Sequence, residues 1–232
     1  MAERIAKFLA NCGTASRRGA EEMISQGRVA VNGVVISSPV TFVNADDNVT
    51  VDGKSVTPNV ETELYMFFKP INTMTTVRDP EGRKTIYDCL DKKYKNLKYV
   101  GRLDFKTTGL LLLTNDGKLA RKLTLPATKI PRTYIATVKE INQSGILRAK
   151  QGVTVDEINY APMKISVIDN NNLRITIYEG KKNEVRIVLR ECGMPVQRLH
   201  RISYGDIKLE NIKVGEIKRL NQKTIDEIKK SL

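Results

Sequence analysis

The stretch Gly101-Arg102-Leu103-Asp104-Phe105-Lys106-Thr107-Thr108-Gly109 decides how this chain is interpreted, together with the apolar run Leu110 to Leu113 that follows it. The apolar run is typical of a buried strand, and the flanking glycines mark a loop that carries one carboxylate among basic and hydroxyl side chains. An aspartate in such a loop most often bonds its own backbone and stabilises a turn. The alternative is that Asp104 performs chemistry, and these residues alone leave both interpretations open.

The composition indicates a globular protein with a core of its own. The chain has 232 residues, of which 41% are hydrophobic and 28% are charged. It contains no run approaching the roughly 20 apolar residues of a membrane helix, and its start lacks the apolar segment of a signal peptide. We therefore expect a cytoplasmic protein without membrane association. Its three cysteines and single histidine lack zinc-ligand spacing, so we expect no metal.

The charge of the chain indicates a polyanionic partner. The net charge is +13, which favours nucleic acid over lipid because no amphipathic membrane segment is present. Residues 1–60 contain six basic and six acidic side chains, so the excess lies in residues 61–232. Residues 118–150 alone carry eight basic groups against Glu140. The alternative is a charged surface that serves only solubility.

The first 60 residues predict a small domain of two short helices followed by short strands. Apolar residues at helical spacing mark both helices, and Asn32-Gly33 between two valine-rich segments predicts a type I′ hairpin. Residues 54–63 lack apolar periodicity and are interpreted as a linker. We therefore place one domain at residues 1–60 and a second at residues 61–232.

The second domain is predicted to be a mixed, mainly antiparallel α+β structure, because strands and helices follow one another irregularly. Strand signals occur at residues 64–68, 110–113, 134–138, 163–168 and 173–177. A helix is indicated where Val185, Val188, Leu189 and Cys192 form one face, which leaves Arg186 and Arg190 together on another. A final short helix is expected to begin with a capping box of Thr224 and Glu227.

The first domain resembles the S4 RNA-binding domain, whose pattern is a basic helix pair followed by a strand and turn. The strand and turn correspond to Gly27-Arg28-Val29-Ala30-Val31-Asn32-Gly33. The resemblance implies that this domain binds RNA through six residues. These are Arg4, Lys7, Ser16, Arg17, Arg18 and Arg28.

The second domain resembles the pseudouridine synthases that modify ribosomal RNA and carry an S4 domain. Gly101 to Asp104, followed by residues 107–117, is similar to the family's catalytic motif. Phe68-Lys69-Pro70 is similar to its Lys-Pro motif, and residues 179–190 to its arginine motif. Residues 79–83 and 201–207 look most like members that act on the large ribosomal subunit, although small-subunit enzymes share the scaffold.

The resemblance also implies roles for individual residues. Asp104 is the expected catalytic residue, Tyr134 the ring that packs against the target base, and Arg186 the partner of the Asp104 carboxylate. An arginine at that position is expected to lower the pKa of Asp104 and keep it ionised. Further RNA contacts are expected from Lys69, Arg102, Arg132, Lys181, Lys182 and Arg190. Asn72 departs from the family's glycine, and Arg132 from its commoner lysine.

The implied reaction is isomerisation of a specific uridine to pseudouridine in ribosomal RNA, with 23S rRNA as the expected target and the base flipped out of its stack. No cofactor or metal is expected, and the protein is expected to be a monomer. One alternative is a 16S rRNA enzyme of the same family. Another is a non-catalytic RNA-binding or ribosome-assembly protein on the same scaffold, which would not need Asp104, Tyr134 or Arg186.

Overall fold

The computed structural model describes residues 2–58 and 61–232, which form two compact units. The first unit comprises the described residues up to Glu63 with 96–98 and 115–117, and the second comprises 64–95, 99–114 and 118–232. Asn59, in the predicted linker, and residue 60, the predicted domain boundary, lie outside the described residues. The boundary at residue 60 stays a prediction.

The first unit contains two helices and six short strands around one core. The core side chains include Ile5, Leu9, Ile24 and Val29, all completely buried. The elements are β1 (Glu3–Arg4), α1 (Ile5–Asn11), α2 (Arg17–Ser25), β2 (Val29–Val31), β3 (Val34–Val35), β4 (Phe42–Val43), β5 (Val49–Val51) and β6 (Lys54–Ser55). The strands form a two-stranded sheet, β1-β4, and a four-stranded sheet in the order β3-β2-β5-β6.

Local signals explain several of these elements. Helix α2 begins after Ser16, whose hydroxyl accepts a hydrogen bond from Gly19 N at 3.0 Å. The β2–β3 hairpin turns at Asn32 and Gly33, both with positive φ (51° and 82°), as the predicted type I′ turn requires. The linker prediction is wrong at its start, because Lys54–Ser55 pair with β5 as a strand.

The second unit is built around a large mixed sheet with helices. Its strands are β7 (Leu64–Lys69), β8 (Lys98–Val100), β9 (Thr107–Thr114), β10 (Arg132–Val138), β11 (Val153–Val155), β12 (Ile158–Tyr160), β13 (Lys164–Val167), β14 (Asn172–Ile177), β15 (Val196–Tyr204), β16 (Ile207–Lys208) and β17 (Ile217–Arg219). Its helices are α3 (Gly117–Thr124), α4 (Gln143–Gln151), α5 (Glu184–Glu191) and α6 (Gln222–Lys230). Short 3₁₀ turns occur at Ile86–Cys89, Lys92–Tyr94 and Pro126–Thr128.

The main sheet has the strand order β13-β14-β10-β15-β9-β7-β17, with β16 beside β15 and β8 beside β9. Strands β9 and β15 run parallel, whereas β7/β9, β10/β15 and β10/β14 run antiparallel. Leu110 to Leu113 are completely buried, so both faces of β9 are covered, as its continuous apolar sequence predicts. The predicted α+β class with a mixed sheet is confirmed.

One row of residues crosses five neighbouring strands of this sheet. Lys69 on β7 pairs with Gly109 on β9, which pairs with Arg201 on β15. Arg201 pairs in turn with Tyr134 on β10, and Tyr134 with Ile175 on β14. This pairing aligns residues that are distant in sequence across the sheet, near the start of β9, the strand that follows the loop containing Asp104.

Two of the differences from the sequence predictions concern strand β15 and the start of helix α6. The nine-residue strand β15 carries no apolar run or clear alternation, because Gln197, Arg198, His200 and Arg201 interrupt it, and it was not predicted. The capping box at Thr224 and Glu227 is wrong. Asn221 caps α6 instead, since its side chain accepts from Thr224 N at 2.8 Å. In the described ranges, no helix is long and apolar enough to cross a membrane.

Candidate active site

The loop that carries Asp104 is fixed from one side by the segment after β7. Thr75 Oγ1 donates to Leu103 O at 2.8 Å and accepts from Leu103 N at 3.3 Å. Asn72 N donates to Phe105 O at 2.9 Å. Asn72 itself has φ of 56°, a left-handed conformation that glycine adopts without strain and asparagine tolerates. This explains how Asn72 can occupy a position where the sequence resemblance implies a glycine. The loop presents Asp104 from a fixed backbone.

Asp104 lies where two cavities meet. One has a volume of ≈ 470 Å³ and the other ≈ 590 Å³, both within the range of small-molecule sites. Five residues line both cavities, namely Arg102, Leu103, Asp104, Lys182 and Asn183. The half-buried carboxylate is therefore open to both cavities rather than enclosed in a turn.

The first cavity combines an aromatic ring with polar groups that have no partner. Tyr134 is 7% exposed and lines this cavity together with Thr107 and Arg201. In the described part of the chain, three buried side-chain polar atoms lack a hydrogen-bond partner, namely Thr107 Oγ1, Arg201 Nη2 and Arg186 Nε. The first two belong to residues of the Tyr134 cavity, and Arg186 lines the other. Because buried polar groups are normally paired, these three indicate a site that takes up a polar ligand or water.

The second cavity is strongly basic. Among its lining residues, six are cationic and Asp104 is the one carboxylate. The cationic residues are Arg83, Arg102, Lys106, Lys182, Arg186 and Arg190. Arg83 is engaged with Asp79 at 2.8 Å, and Lys106 Nζ donates to Asn72 Oδ1 at 2.9 Å. Such a lining suits a phosphate backbone.

The electrostatics of Asp104 differ from the sequence expectation. Burial raises the pKa of Asp104 above its ordinary value, and this effect outweighs the neighbouring positive charges. Those charges, from Arg186, Arg102, Lys69 and Lys182, each act to lower the pKa. Arg186 thus acts on the pKa of Asp104 in the expected direction, but burial outweighs it, because the loop removes the carboxylate from water more than its neighbours compensate.

Arg186 is close to Asp104 without binding it in the expected way. Its Nη1 donates to Val196 O and its Nη2 to Lys106 O, both at 3.1 Å. The Asp104 charge raises the pKa of Arg186, although burial lowers it more. Arg186 is thus held by backbone carbonyls and acts on Asp104 through its charge, and its role as partner of the carboxylate stays a prediction.

The side chain that faces the Asp104 carboxylate is Asn183. With its amide nitrogen turned toward Asp104, Asn183 Nδ2 lies 2.9 Å from Oδ2 and 3.2 Å from Oδ1. The opposite orientation would set the amide oxygen against an ionised carboxylate, two acceptors facing each other. The amide nitrogen is therefore assigned to the Asp104 side.

Lys69 does not lie on an RNA-binding surface, which corrects the prediction for that residue, whereas Arg132 lines the first cavity and its RNA contact stays a prediction. Lys69 is completely buried, and its Nζ donates to Pro70 O at 3.0 Å and Thr107 O at 2.9 Å. Burial lowers the pKa of Lys69 to about 8. Arg132 is 9% exposed, and its guanidinium donates to Glu179 O and to the Tyr204 hydroxyl. Both cations are hydrogen-bonded to carbonyl oxygens in the walls of the site.

The other predicted RNA-binding residues of this unit lie at the rim of the cavities. Arg102, Lys182 and Arg190 are exposed. Lys181 is exposed but ion-paired with Glu179, and its Nζ also donates to Asn159 O at 2.7 Å. Three of the four therefore keep a charge that faces solvent in the lining of these cavities.

In the first unit the predicted RNA-binding residues fall into two groups. Arg4, Arg17 and Arg18 are exposed, with the last two in the first turn of α2, and Ser16 is occupied as the cap of that helix. Lys7 and Arg28 are already paired with acids. Lys7 lies 3.0 Å from Glu3, and Arg28 makes two bonds to Asp52 at 2.9 and 2.6 Å.

Three residues of the site were missed by sequence reasoning: Asn183, Arg201 and Glu184. Glu184 is 3% exposed, its Oε2 accepts from Lys181 N at 2.9 Å, and burial raises its pKa. Asn183 and Glu184 lie inside the quoted arginine motif, so their polar identity was visible there. Arg201 begins the segment 201–207, but its place in the site could not be found from the sequence, because it depends on pairing with β9 and β10. No group of three or more metal-binding side chains occurs in the ranges 2–58 and 61–232.

Comparison with known proteins gives the class to which this fold and site belong. Residues 48–191 match the protein family described as RNA pseudouridylate synthase, and residues 3–49 match the S4 domain. The chain belongs to the RNA pseudouridylate synthase family, and it is an enzyme of that class with an N-terminal S4 domain.

Individual relatives cover nearly the whole chain. An uncharacterized RNA pseudouridine synthase of Aquifex aeolicus is 40% identical over 100% of this chain and 96% of its own length. The ribosomal large subunit pseudouridine synthase B of Bacillus subtilis is 33% identical over 98% of this chain and 96% of its own. A crystal structure of a pseudouridylate synthase superposes with a TM-score of 0.70, at 29% identity and 99% coverage of both chains.

Proposed function

We propose that this enzyme isomerises one specific uridine of 23S ribosomal RNA to pseudouridine, with Asp104 as the catalytic residue. The observation that carries the proposal is the position of Asp104, at the junction of a cavity that contains an aromatic ring and a cavity lined by cations. A flipped nucleotide needs both environments, one for its base and one for its phosphates.

The base would occupy the first cavity. A uracil ring packed on Tyr134 would bring its polar edge toward buried groups that lack partners, Arg201 Nη2 and Thr107 Oγ1. Uracil carries two carbonyl oxygens and one N–H, so it can supply acceptors to a guanidinium and either a donor or an acceptor to a hydroxyl. The pairing of buried groups that are otherwise unpaired favours a polar base over an apolar ligand.

The sugar and the flanking phosphates would occupy the second cavity and its rim. Arg102, Lys182 and Arg190 are exposed there and can contact phosphates without first breaking an ion pair. Phosphate contacts fix the register of the strand, which determines which uridine reaches Asp104. The exposed Arg4, Arg17 and Arg18 of the S4 domain would add affinity.

The reaction is an isomerisation and balances without an oxidant or a second substrate. The bond between N1 and C1′ breaks, C5 forms the new bond to C1′, the C5 proton leaves, and N1 gains a proton. A carboxylate in its ionised form can either attack C1′ or take a proton from the ribose. Tritium placed at C5 of the uridine is therefore released to water in either case.

The experiment measures tritium release from 23S and 16S rRNA transcripts labelled at uridine C5. We expect release from 23S transcripts by the wild type and a loss of at least roughly 1000-fold for Asp104→Asn, since the nucleophile or base is removed while the shape is kept. Asp104→Asn should still bind the RNA. Normal release by Asp104→Asn would overturn the assignment of the catalyst.

The 16S transcript distinguishes the nearest alternative. Release from 16S RNA without release from 23S RNA would assign the enzyme to the small subunit and would overturn the 23S target alone. Binding of both RNAs without any release would favour a ribosome-assembly protein on this scaffold. The monomeric state, the cytoplasmic location and the absence of cofactor and metal stay predictions.

A further inference from the structure

Asn183 occupies an unusual place at the start of helix α5. It is the residue before Glu184, in the position where an asparagine side chain normally accepts a hydrogen bond from the first turn of the helix. A cap of this kind would use the side-chain oxygen, so the amide nitrogen can donate to another group. The backbone remains in the helical pattern, because Asn183 O accepts from Ile187 N at 2.9 Å.

The backbone of Asn183 directs that amide toward the catalytic loop. Asn183 has φ of 54° and ψ of 20°, in the left-handed region where asparagine is tolerated better than most residues. The turn is closed by Glu184, whose carboxylate accepts from Lys181 N at 2.9 Å while Glu184 N donates to Lys181 O at 3.2 Å. These bonds hold the residue without using its side chain.

The partner is the Asp104 carboxylate, both oxygens of which lie within hydrogen-bonding distance of Asn183 Nδ2, at 2.9 and 3.2 Å. Asp104 is also faced by the charges of Arg186, Arg102, Lys69 and Lys182. Arg186 is itself held by backbone carbonyls. Asn183 is therefore the side chain in the described part of the site that can fix the orientation of the carboxylate directly.

We propose that Asn183 is a positioning residue, whose amide holds the Asp104 carboxylate in its ionised and productive orientation between the two cavities. This inference rests on the proposed role of Asp104. A neutral donor suits the task, because it orders the carboxylate without forming the tight ion pair that would reduce its reactivity. It also favours the ionised form against the effect of burial.

The test uses two variants that keep the left-handed backbone. Asn183→Asp has nearly the same shape but sets a second carboxylate against Asp104. Asn183→Gly adopts the same φ without strain and removes the amide. The matched control is Asn211→Asp, an exposed asparagine that also has φ of 54° and lies outside both cavities. It introduces the same charge at the same kind of backbone position.

The measurements are single-turnover rates of tritium release as a function of pH, RNA affinity, and thermal unfolding. We expect Asn183→Gly to lower the rate roughly 10- to 100-fold, the effect of losing a hydrogen bond to a charged group, with RNA affinity little changed. Asn183→Asp should lower it further. In both variants the acid limb of the pH profile should move to higher pH, most for Asn183→Asp, and Asn211→Asp should retain the wild-type profile.

The outcomes separate this inference from the proposed function. An inactive Asp104→Asn together with wild-type rates and pH profiles for both Asn183 variants would overturn the positioning role alone. A loss of rate with an unshifted acid limb and an equal loss of thermal stability would assign Asn183 a merely structural role, and would also overturn it. An active Asp104→Asn would instead overturn the proposed catalytic role of Asp104, on which this inference rests.

Discussion

Tyr134 and Arg201 lie opposite each other on the neighbouring antiparallel strands β10 and β15. Both side chains therefore project from the same face of the sheet into the first cavity, which Asp104 also lines. On its other side, Arg201 pairs with Gly109 of β9 in a parallel ladder. The strand that follows the Asp104 loop is thereby connected, through one residue of β15, to the strand that presents the aromatic ring. The distance between aspartate and ring is set by the sheet.

This arrangement depends on the absence of a side chain at Gly109. A Cβ at Gly109 would lie 2.3 Å from Arg201 O and 2.6 Å from Arg201 N, and the residue has φ of 107°. We predict that Gly109→Ala lowers the free energy of unfolding by about 3 kcal/mol, from steric overlap together with backbone strain. Urea unfolding followed by circular dichroism measures it.

The control for that prediction is Gly215→Ala, which also has positive φ (83°) but open space around the added atom. Only the backbone strain remains there, so we expect a loss of about 1 kcal/mol. Equal losses for the two variants would mean that β15 can move away from Gly109, and the close approach of the strands would not be required.

The fold was predictable where the signal is local. The buried strand β9 follows from four consecutive leucines, and the β2–β3 turn follows from Asn32-Gly33, whose positive φ values few other residues adopt easily. The strand β15 was not predictable, because its burial comes from pairing on both sides rather than from an apolar pattern.

The residues of the candidate site were likewise predictable only where a local sequence motif marks them. Asp104 and Tyr134 were identified because they lie in motifs with a recognisable order, and both line the first cavity. Lys69 was assigned to RNA because its charge suggested exposure, whereas the fold buries it against two carbonyls. The Asn183 contact was missed because it depends on the position of α5 relative to the loop before β9, which no local pattern specifies.

The ring of Tyr134, rather than its hydroxyl, is expected to hold the base. We predict that Tyr134→Phe retains tritium release within about threefold, because the stacking surface is kept. Tyr134→Ala should lose roughly 1 to 3 kcal/mol of stacking, which is a loss of about 10- to 100-fold in kcat/KM. Steady-state release from 23S transcripts measures both. A Phe variant as impaired as the Ala variant would contradict stacking as the role.

Lys69 is expected to make stability depend on pH in the alkaline range. Its pKa is lowered from 10.5 to about 8 in the folded chain, chiefly by burial. Below pH 8 both states bind the proton, and the folded state carries the cost of a buried ammonium group. As pH rises from about 8 toward 10.5, the folded state releases a proton that the unfolded chain keeps, so the free energy of unfolding rises.

The variant Lys69→Met lacks this titration. We predict that the wild type gains roughly 1 to 3 kcal/mol over Lys69→Met between pH 7 and pH 10. Urea unfolding of both proteins at the two pH values measures this gain. The contributions of the other titrating groups are common to both proteins and cancel in the difference. A difference that stays constant with pH would show that the buried amine keeps an ordinary pKa.

Arg17 and Arg18 are expected to contact RNA, because they lie at a position that is locally unfavourable for cations. They occupy the first turn of α2, where the helix dipole is positive, and no acid is present in that turn. We predict that Arg17→Gln/Arg18→Gln weakens RNA binding and reduces the slope of log K against log salt by about 2, one unit for each lost phosphate contact. Filter binding over a salt series measures it.

The matched control for the S4 arginines is Arg148→Gln. Arg148 is exposed, pairs with Glu191 at 3.4 Å, and lines neither cavity. Its loss should leave the salt slope unchanged. A wild-type slope for the double variant would place the RNA on another surface.

The charge of Arg186 is expected to determine the lower pH limit of activity. Burial raises the pKa of Asp104, and Arg186 is the strongest of the four charges that lower it. Removing that charge in Arg186→Gln leaves burial less opposed, so the pKa of Asp104 rises further. Because the proposed reaction needs the ionised carboxylate, the acid limb of the kcat–pH profile should move to higher pH. At pH values above that limb, Arg186→Gln should be closer to wild-type activity than it is at low pH.

Arg190 is the control, because it lies one turn further along α5 and lines the same basic cavity. Arg190→Gln removes the same charge from the RNA surface, so it should raise KM while leaving the acid limb in place. Rates of tritium release between pH 5 and pH 9 compare the two, with RNA held above KM for the limb. An unshifted limb in Arg186→Gln would mean that Arg186 serves to bind RNA, as Arg190 does, and does not control the ionisation of Asp104.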